Sequence, residues 1–207
     1  MAGVLFAWWG IRKLTMPKPP RPDAETFEQA LRVRILRDTW GVPHVYGKTD
    51  GDAAFGLAYA HSEDDSPMLQ AVFAASRGRL SLLWLAKEAL ANDYSVSLVG
   101  IREEVDAAYP KLSAEFRSVL EGYARGLNLY AYLHPNEADG RLPPFTGRDV
   151  AAAFAHKMPI MVELPRTLEA LRGGWAKRTG DPLTALDRDL PPRAFPKREY
   201  HPGEEKR

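Results

Sequence analysis

The sequence predicts an α+β fold, mostly helical, with two short strands near the N-terminus. Three observations carry this. Residues 33–46 alternate and are rich in β-branched side chains (Val33, Ile35, Val42, Val45), interrupted by the turn-prone Asp38-Thr39-Trp40-Gly41, which is the pattern of two short strands and a turn. From Asp52 the apolar period becomes helical, through Phe55, Ala58 and Tyr59 and then Met68, Leu69, Val72 and Phe73. Further on, Phe116, Val119, Leu120, Tyr123, Leu127 and Tyr130 form one stripe behind Ser113, the mark of a capped amphipathic helix.

Taken in order, residues 1–25 form an apolar N-terminus and a proline-rich linker. Met1 to Ile11 is apolar and aromatic, and Arg12, Lys13, Lys18 and Arg21 follow among Pro17, Pro19, Pro20 and Pro22. About ten apolar residues fall short of the roughly twenty that span a bilayer, and neither a basic start nor a small-residue cleavage site marks a signal peptide. The stretch reads as a disordered end or, preferably, as the remnant of an export or membrane-anchor segment. Ser66-Pro67 predicts a helix start, so residues 52–78 are expected to hold two helices, the second closed by Gly78 with Arg77 and Arg79 at its carbonyl end. Leu80–Asn92 and Asp93–Tyr109 are expected as helices, the latter ended by Pro110. The Ser113 helix should stop before Pro135.

Residues 141–145 (RLPPF) predict a loop. Thr146 should then cap a further helix, with Asp149 three residues on in the place of a capping-box acid. Ala151, Ala152, Ala153 and Phe154 suit close packing. Pro159 and Pro165 should each break this helix by removing a donor and crowding the preceding turn. The broken segment, with Met158, Ile160, Met161, Val162 and Leu164, reads equally as a pocket wall and as a bent core helix. After Gly174 the composition shifts to prolines and charges, so 26–174 is the expected domain and 175–207 a disordered tail.

Composition narrows the function. Apolar content of 45% in 207 residues suits one domain with a core, and a net charge of +1 gives no electrostatic case for nucleic acid. With no cysteine, disulfides, thiolate metal sites and a cysteine nucleophile are excluded.

The order RDTWGVPHVYG, AFGLAYAHSEDD and SRGRL resembles the start of the α chain of the penicillin acylase family, which includes cephalosporin and acyl-homoserine-lactone acylases. Arg37, Asp38, Gly41, Pro43, His44, Phe55, Gly56, Tyr59, Asp64, Gly78 and Arg79 match in order and spacing. Asp65, where the family usually has arginine, and Pro67 depart from it. The resemblance implies the α-chain part of an N-terminal nucleophile hydrolase (αββα) fold, a β chain as partner, and a small-molecule amide as substrate. It also implies a periplasmic or membrane-anchored location, and gives no reason to expect a cofactor.

In that family the nucleophile is a serine freed at the start of the β chain, its own α-amine serving as base. No Gly-Ser pair occurs here, and the tail offers only Thr179 and Thr184, so no catalytic residue is assigned. The resemblance places acyl-pocket positions at Met158 and Val162. Val162 is commonly aromatic in penicillin acylases, so the pocket should be roomier for aliphatic chains. Leu168 stands where some members carry a calcium-binding glutamate, so no metal ligand is expected. His61 with Asp65, His44 and His156 read as structural, with His44 expected to be partly buried and bonded to backbone. Two readings remain: the α portion of an amide-hydrolysing acylase, or a truncated or frameshifted, non-catalytic helical domain that is inert or binds a partner.

Overall fold

The alternation at 33–46 becomes a hairpin of β1 (Arg34–Arg37) and β2 (Pro43–Tyr46), antiparallel with Ile35 opposite Val45. Asp38 shapes the turn. Its Oδ1 accepts from the N–H groups of Trp40 (2.8 Å) and Val42 (3.0 Å), and Gly41 takes φ +79°, a conformation that costs glycine nothing. The computed structural model describes residues 17–161, and those through Pro159 belong to one compact unit. The export-segment reading of 1–11 and the 175–207 tail lie outside the described residues, as do Val162, the Pro165 break and Leu168.

Six helices accompany the hairpin among the described residues: α1 (Ala24–Ala30), α2 (Asp50–Ser76), α3 (Lys87–Val99), α4 (Ile101–Ala108), α5 (Ala114–Leu133) and α6 (Gly147–Met161). The short α1, capped by Asp23, carries too few turns to show a period. The two helices expected over 52–78 are the halves of α2, which breaks at Asp65 (φ −153°, ψ 67°). The cap there is Asp65, not Ser66: its Oδ1 accepts from Met68 N at 3.2 Å. The two departures from the family pattern thus belong together, since Pro67 removes a backbone donor and crowds the preceding turn, and Asp65 caps the helix that restarts around it.

Gly78, at φ +63°, closes α2 as expected. Its N–H donates to Ala75 O and that of Arg79 to Ala74 O, the paired bonds of a Schellman end. The two helices expected from 80 to 109 are corrected in extent. Leu80–Leu82 is a 3₁₀ turn held by the Asp93 carboxylate on the N–H groups of Leu80 and Ser81. The helical break falls at Gly100, which takes a left-handed φ of +71° between α3 and α4. Helix α6 is also corrected: it runs through Pro159 to Met161. A proline removes one donor from the ladder, and the remaining rungs hold the helix.

Helix α5 forms as its stripe predicts, with Ser113 Oγ accepting from Phe116 N. What brings it onto α2 is a set of glycines. A Cβ on Gly122 would collide with Gly51 O, and one on Gly126 with Phe55 O, while one on Gly51 would sit 2.9 Å from Ser118 O. The two backbones touch there. Around the crossing lies the main core, with Ala58, Phe73, Leu120, Leu127, Leu142, Phe145 and Val150. The hairpin rests on α2 at Gly56, where a Cβ would fall 2.5 Å from Val45 Cγ1 and 2.6 Å from Val33 Cγ1.

Replacing Gly122 by alanine is therefore expected to destabilise the domain by about 1–3 kcal/mol, the usual cost of overpacking. Urea unfolding should show a lower midpoint with an unchanged m value. A Gly122→Ala variant as stable as the parent would mean the two helices are not in backbone contact.

Candidate functional site

The site is built on α6, and its first turn is where the polar chemistry concentrates. Thr146 and Asp149 form the expected reciprocal cap: Thr146 N donates to Asp149 Oδ2 (2.8 Å) and Asp149 N to Thr146 Oγ1 (3.3 Å). Asp149 is 2% exposed. Its carboxylate also takes Arg77 Nε (2.9 Å) and Nη2 (2.7 Å), and Arg102 Nη1 (2.6 Å). Burial by itself would raise this carboxyl. Hydrogen bonds and charge from Arg77, with Thr146 and Arg102, outweigh that and hold it well below the usual carboxylate range. Arg77 further donates to the carbonyls of Leu142 and Pro144, fixing the loop that enters α6.

Beyond this turn the surface becomes apolar. A groove of about 170 Å³ runs between α4, the 3₁₀ turn Tyr109–Lys111, α5 and α6, lined by residues that include Val105, Tyr109, Leu112, Phe116, Leu120 and Phe154. The Tyr109 hydroxyl donates to Glu121 Oε1 at 2.5 Å, which satisfies the buried phenol. Phe154 is 65% exposed and Met158 51% exposed. Four residues apart, they share one face of α6. Of the two expected acyl contacts, Met158 thus lies one turn past the groove on the same helical face, while Val162 is not described.

The histidines take separate places. His61 Nδ1 lies 3.0 Å from the Tyr123 hydroxyl rather than joining Asp65. His44 is exposed and pairs with a carboxylate, Asp38 Oδ2 at 3.3 Å. This corrects the expectation of a partly buried ring bonded to backbone; on the outward register of a two-stranded sheet nothing covers it. His156 Nε2 lies 2.8 Å from Asn92 Oδ1, joining α6 to α3. No group of three or more metal-ligating side chains is gathered among the described residues, and none of their helices is long and apolar enough to cross a membrane. Sequence reasoning missed the groove and the two arginines on Asp149. They stand 72 and 47 residues away from it, and no local pattern signals such partners.

A model of the penicillin amidase family matches residues 32–176. The chain belongs to the penicillin amidase family. It is similar to the penicillin acylase 2 proenzyme of Pseudomonas sp. (strain SE83), at 30% identity over 98 residues, covering 47% of this chain and 12% of that protein. It is also similar to the acyl-homoserine lactone acylase QuiP of Pseudomonas aeruginosa, at 31% over 103 residues, covering 50% and 12%. The matched region therefore spans 12% of the length of either relative. Among solved structures, a thermostable penicillin G acylase from Alcaligenes faecalis aligns with a TM-score of 0.52 at 21% identity, over 84% of this chain and 98% of that one. That likeness establishes the fold, a mostly helical domain with a short antiparallel hairpin.

Arg37 of the family motif is a joint between elements. Arg37 donates to Gly41 O (2.8 Å) and pairs with Glu63 and Asp64, each at 2.9 Å, pinning the hairpin turn to α2.

The burial of His156 supplies a pH prediction. Desolvation pushes the imidazole below its ordinary value, with a smaller push from Lys157. The unfolded chain thus takes up a proton near pH 6.5 that the folded chain resists. Stability held by neutral His156 is present above about pH 6.5 and declines as pH falls through it. The urea midpoint should drop as pH falls below about 6.5, and His156→Gln should flatten that decline. An equally steep decline in the variant would assign it to other groups.

Proposed function

We propose that this chain is the α portion of an amide-hydrolysing acylase that removes an acyl group from an amine, of the penicillin or acyl-homoserine-lactone type. The observation that carries the reading is the family match over residues 32–176. Two coverages support it. The match spans 12% of a relative named as a proenzyme, yet 98% of one chain of a solved acylase. A region of this size is what a processed α chain would provide, and residues 26–174 are its proposed extent.

By the family resemblance, the nucleophile, base and oxyanion donors belong to the β chain. There a serine hydroxyl attacks the acyl carbonyl, its proton passes to the serine's own α-amine, and hydrogen-bond donors stabilise the oxyanion. This chain contributes a wall for the acyl group. Met158 and Val162 are the proposed contacts by the family resemblance, and Phe154, four residues before Met158 on α6, extends that apolar face toward the groove. The proposed compartment is the periplasm or its membrane face, with residues 1–11 as the remnant of an export or anchor segment.

The chain alone is expected to hydrolyse neither penicillin G nor an acyl-homoserine lactone, and to do so only when paired with a β chain. Turnover by the purified chain, abolished by a serine reagent, would refute this division of labour.

In the paired enzyme, Val162→Phe should lower kcat/KM for long acyl chains by about 10- to 200-fold relative to short ones. An equal effect on both lengths would show that Val162 acts structurally.

A further inference from the structure

Helix α6 lies between two apolar clusters. Val150 faces the main core, while Ala152 meets Val96, Ile101 and Val105 of α3 and α4. The surface it offers to α3 and α4 is almost featureless, with Ala151 and Ala155 flanking Ala152. Alanine ridges are shallow, so they interdigitate weakly and leave the helix little resistance to sliding or turning in place. On this side of α6, away from Val150 and Arg77, directional bonds add to the register. Two polar ties do so from the same pair of helices. Arg102 Nη1 of α4 reaches Asp149 Oδ1 at 2.6 Å in the first turn of α6, and Asn92 Oδ1 of α3 meets His156 Nε2 at 2.8 Å two turns later. The left-handed bend at Gly100 lets α3 and α4 engage α6 at both points.

We propose that Arg102 and Asn92 are positioning residues for acyl-chain recognition. The two ties set the rotation and tilt of α6, and so the place of Met158, two residues beyond His156. This inference rests on the reading of Met158 as an acyl contact. Neither tie carries the fold alone. Without Arg102, Asp149 keeps Arg77 and Thr146, and neither Asn92 nor Arg102 belongs to the main core.

The test uses Arg102→Ala, Asn92→Ala, the double variant, and Arg102→Lys, which keeps a cationic donor. In the full chain, amide exchange over residues 150–158 should speed up by roughly tenfold in the double variant while α5 and the first half of α2, remote from the Asn92 bond to Ala75 O (3.0 Å), keep their protection. Unchanged exchange in α6 would overturn the proposal. In the chain paired with a β chain, the ratio of kcat/KM for long over short acyl amides should shift severalfold, and Arg102→Lys should restore most of it. A uniform fall for both lengths would mark a structural role only and overturn the recognition role. If the unmodified pair hydrolysed no acyl amide, the acylase reading would fail and the recognition role with it. The exchange result would still decide whether the ties hold α6.

Discussion

The backbone contact between α2 and α5 is the constraint on which the other placements depend. Gly51, Gly122 and Gly126 admit no side chain, so the two helices approach as closely as their carbonyls allow. Dispersion contacts accumulate over the whole crossing, and the larger side chains are driven outward to either side. Phe73, Leu127 and Phe145 fill one flank. At the start of α2, Gln29 of α1 donates to Gly51 O (3.1 Å), and Arg32 pairs with the buried Asp52. With α2 fixed, the hairpin can settle on Gly56.

Charged side chains then act as joints between elements that share little apolar surface. Arg37 ties the hairpin turn to α2, and Asp149 collects Arg77 from the end of α2 and Arg102 from α4 at the start of α6. Burying such groups is costly unless every lone pair is matched, and at Asp149 five donors do so. Arg37, one of the residues that make this family recognisable, is thus an architectural joint.

The surface shows what this packing leaves uncovered. Trp40 and Val42 at the hairpin, Trp84 and Leu85 before α3, and Phe154 and Met158 on α6 are all exposed. Single exposed apolar residues are common on soluble domains. Here they recur on several elements that flank a domain matching a small part of its relatives' length.

The sequence by itself determined the local elements: the hairpin, the Ser113 and Thr146 caps, the left-handed Gly78, and helical faces that repeat every three or four residues. Each depends on chemistry within a few positions, such as a side-chain oxygen accepting from an N–H three residues on. It also carried the family, through the spacing of Arg37, Gly41, Gly56, Asp64 and Gly78, residues that in this fold join the hairpin to α2 and close α2. Only the tertiary structure decided that Asp65 caps in place of Ser66, that α6 runs through Pro159, and that the boundary between α3 and α4 falls at Gly100 and not at Asp93. It alone placed Arg77 and Arg102 on Asp149 and opened the groove beside Phe154. Those outcomes join residues tens of positions apart, and one chain's local pattern cannot show which distant donors or surfaces a fold will bring against it.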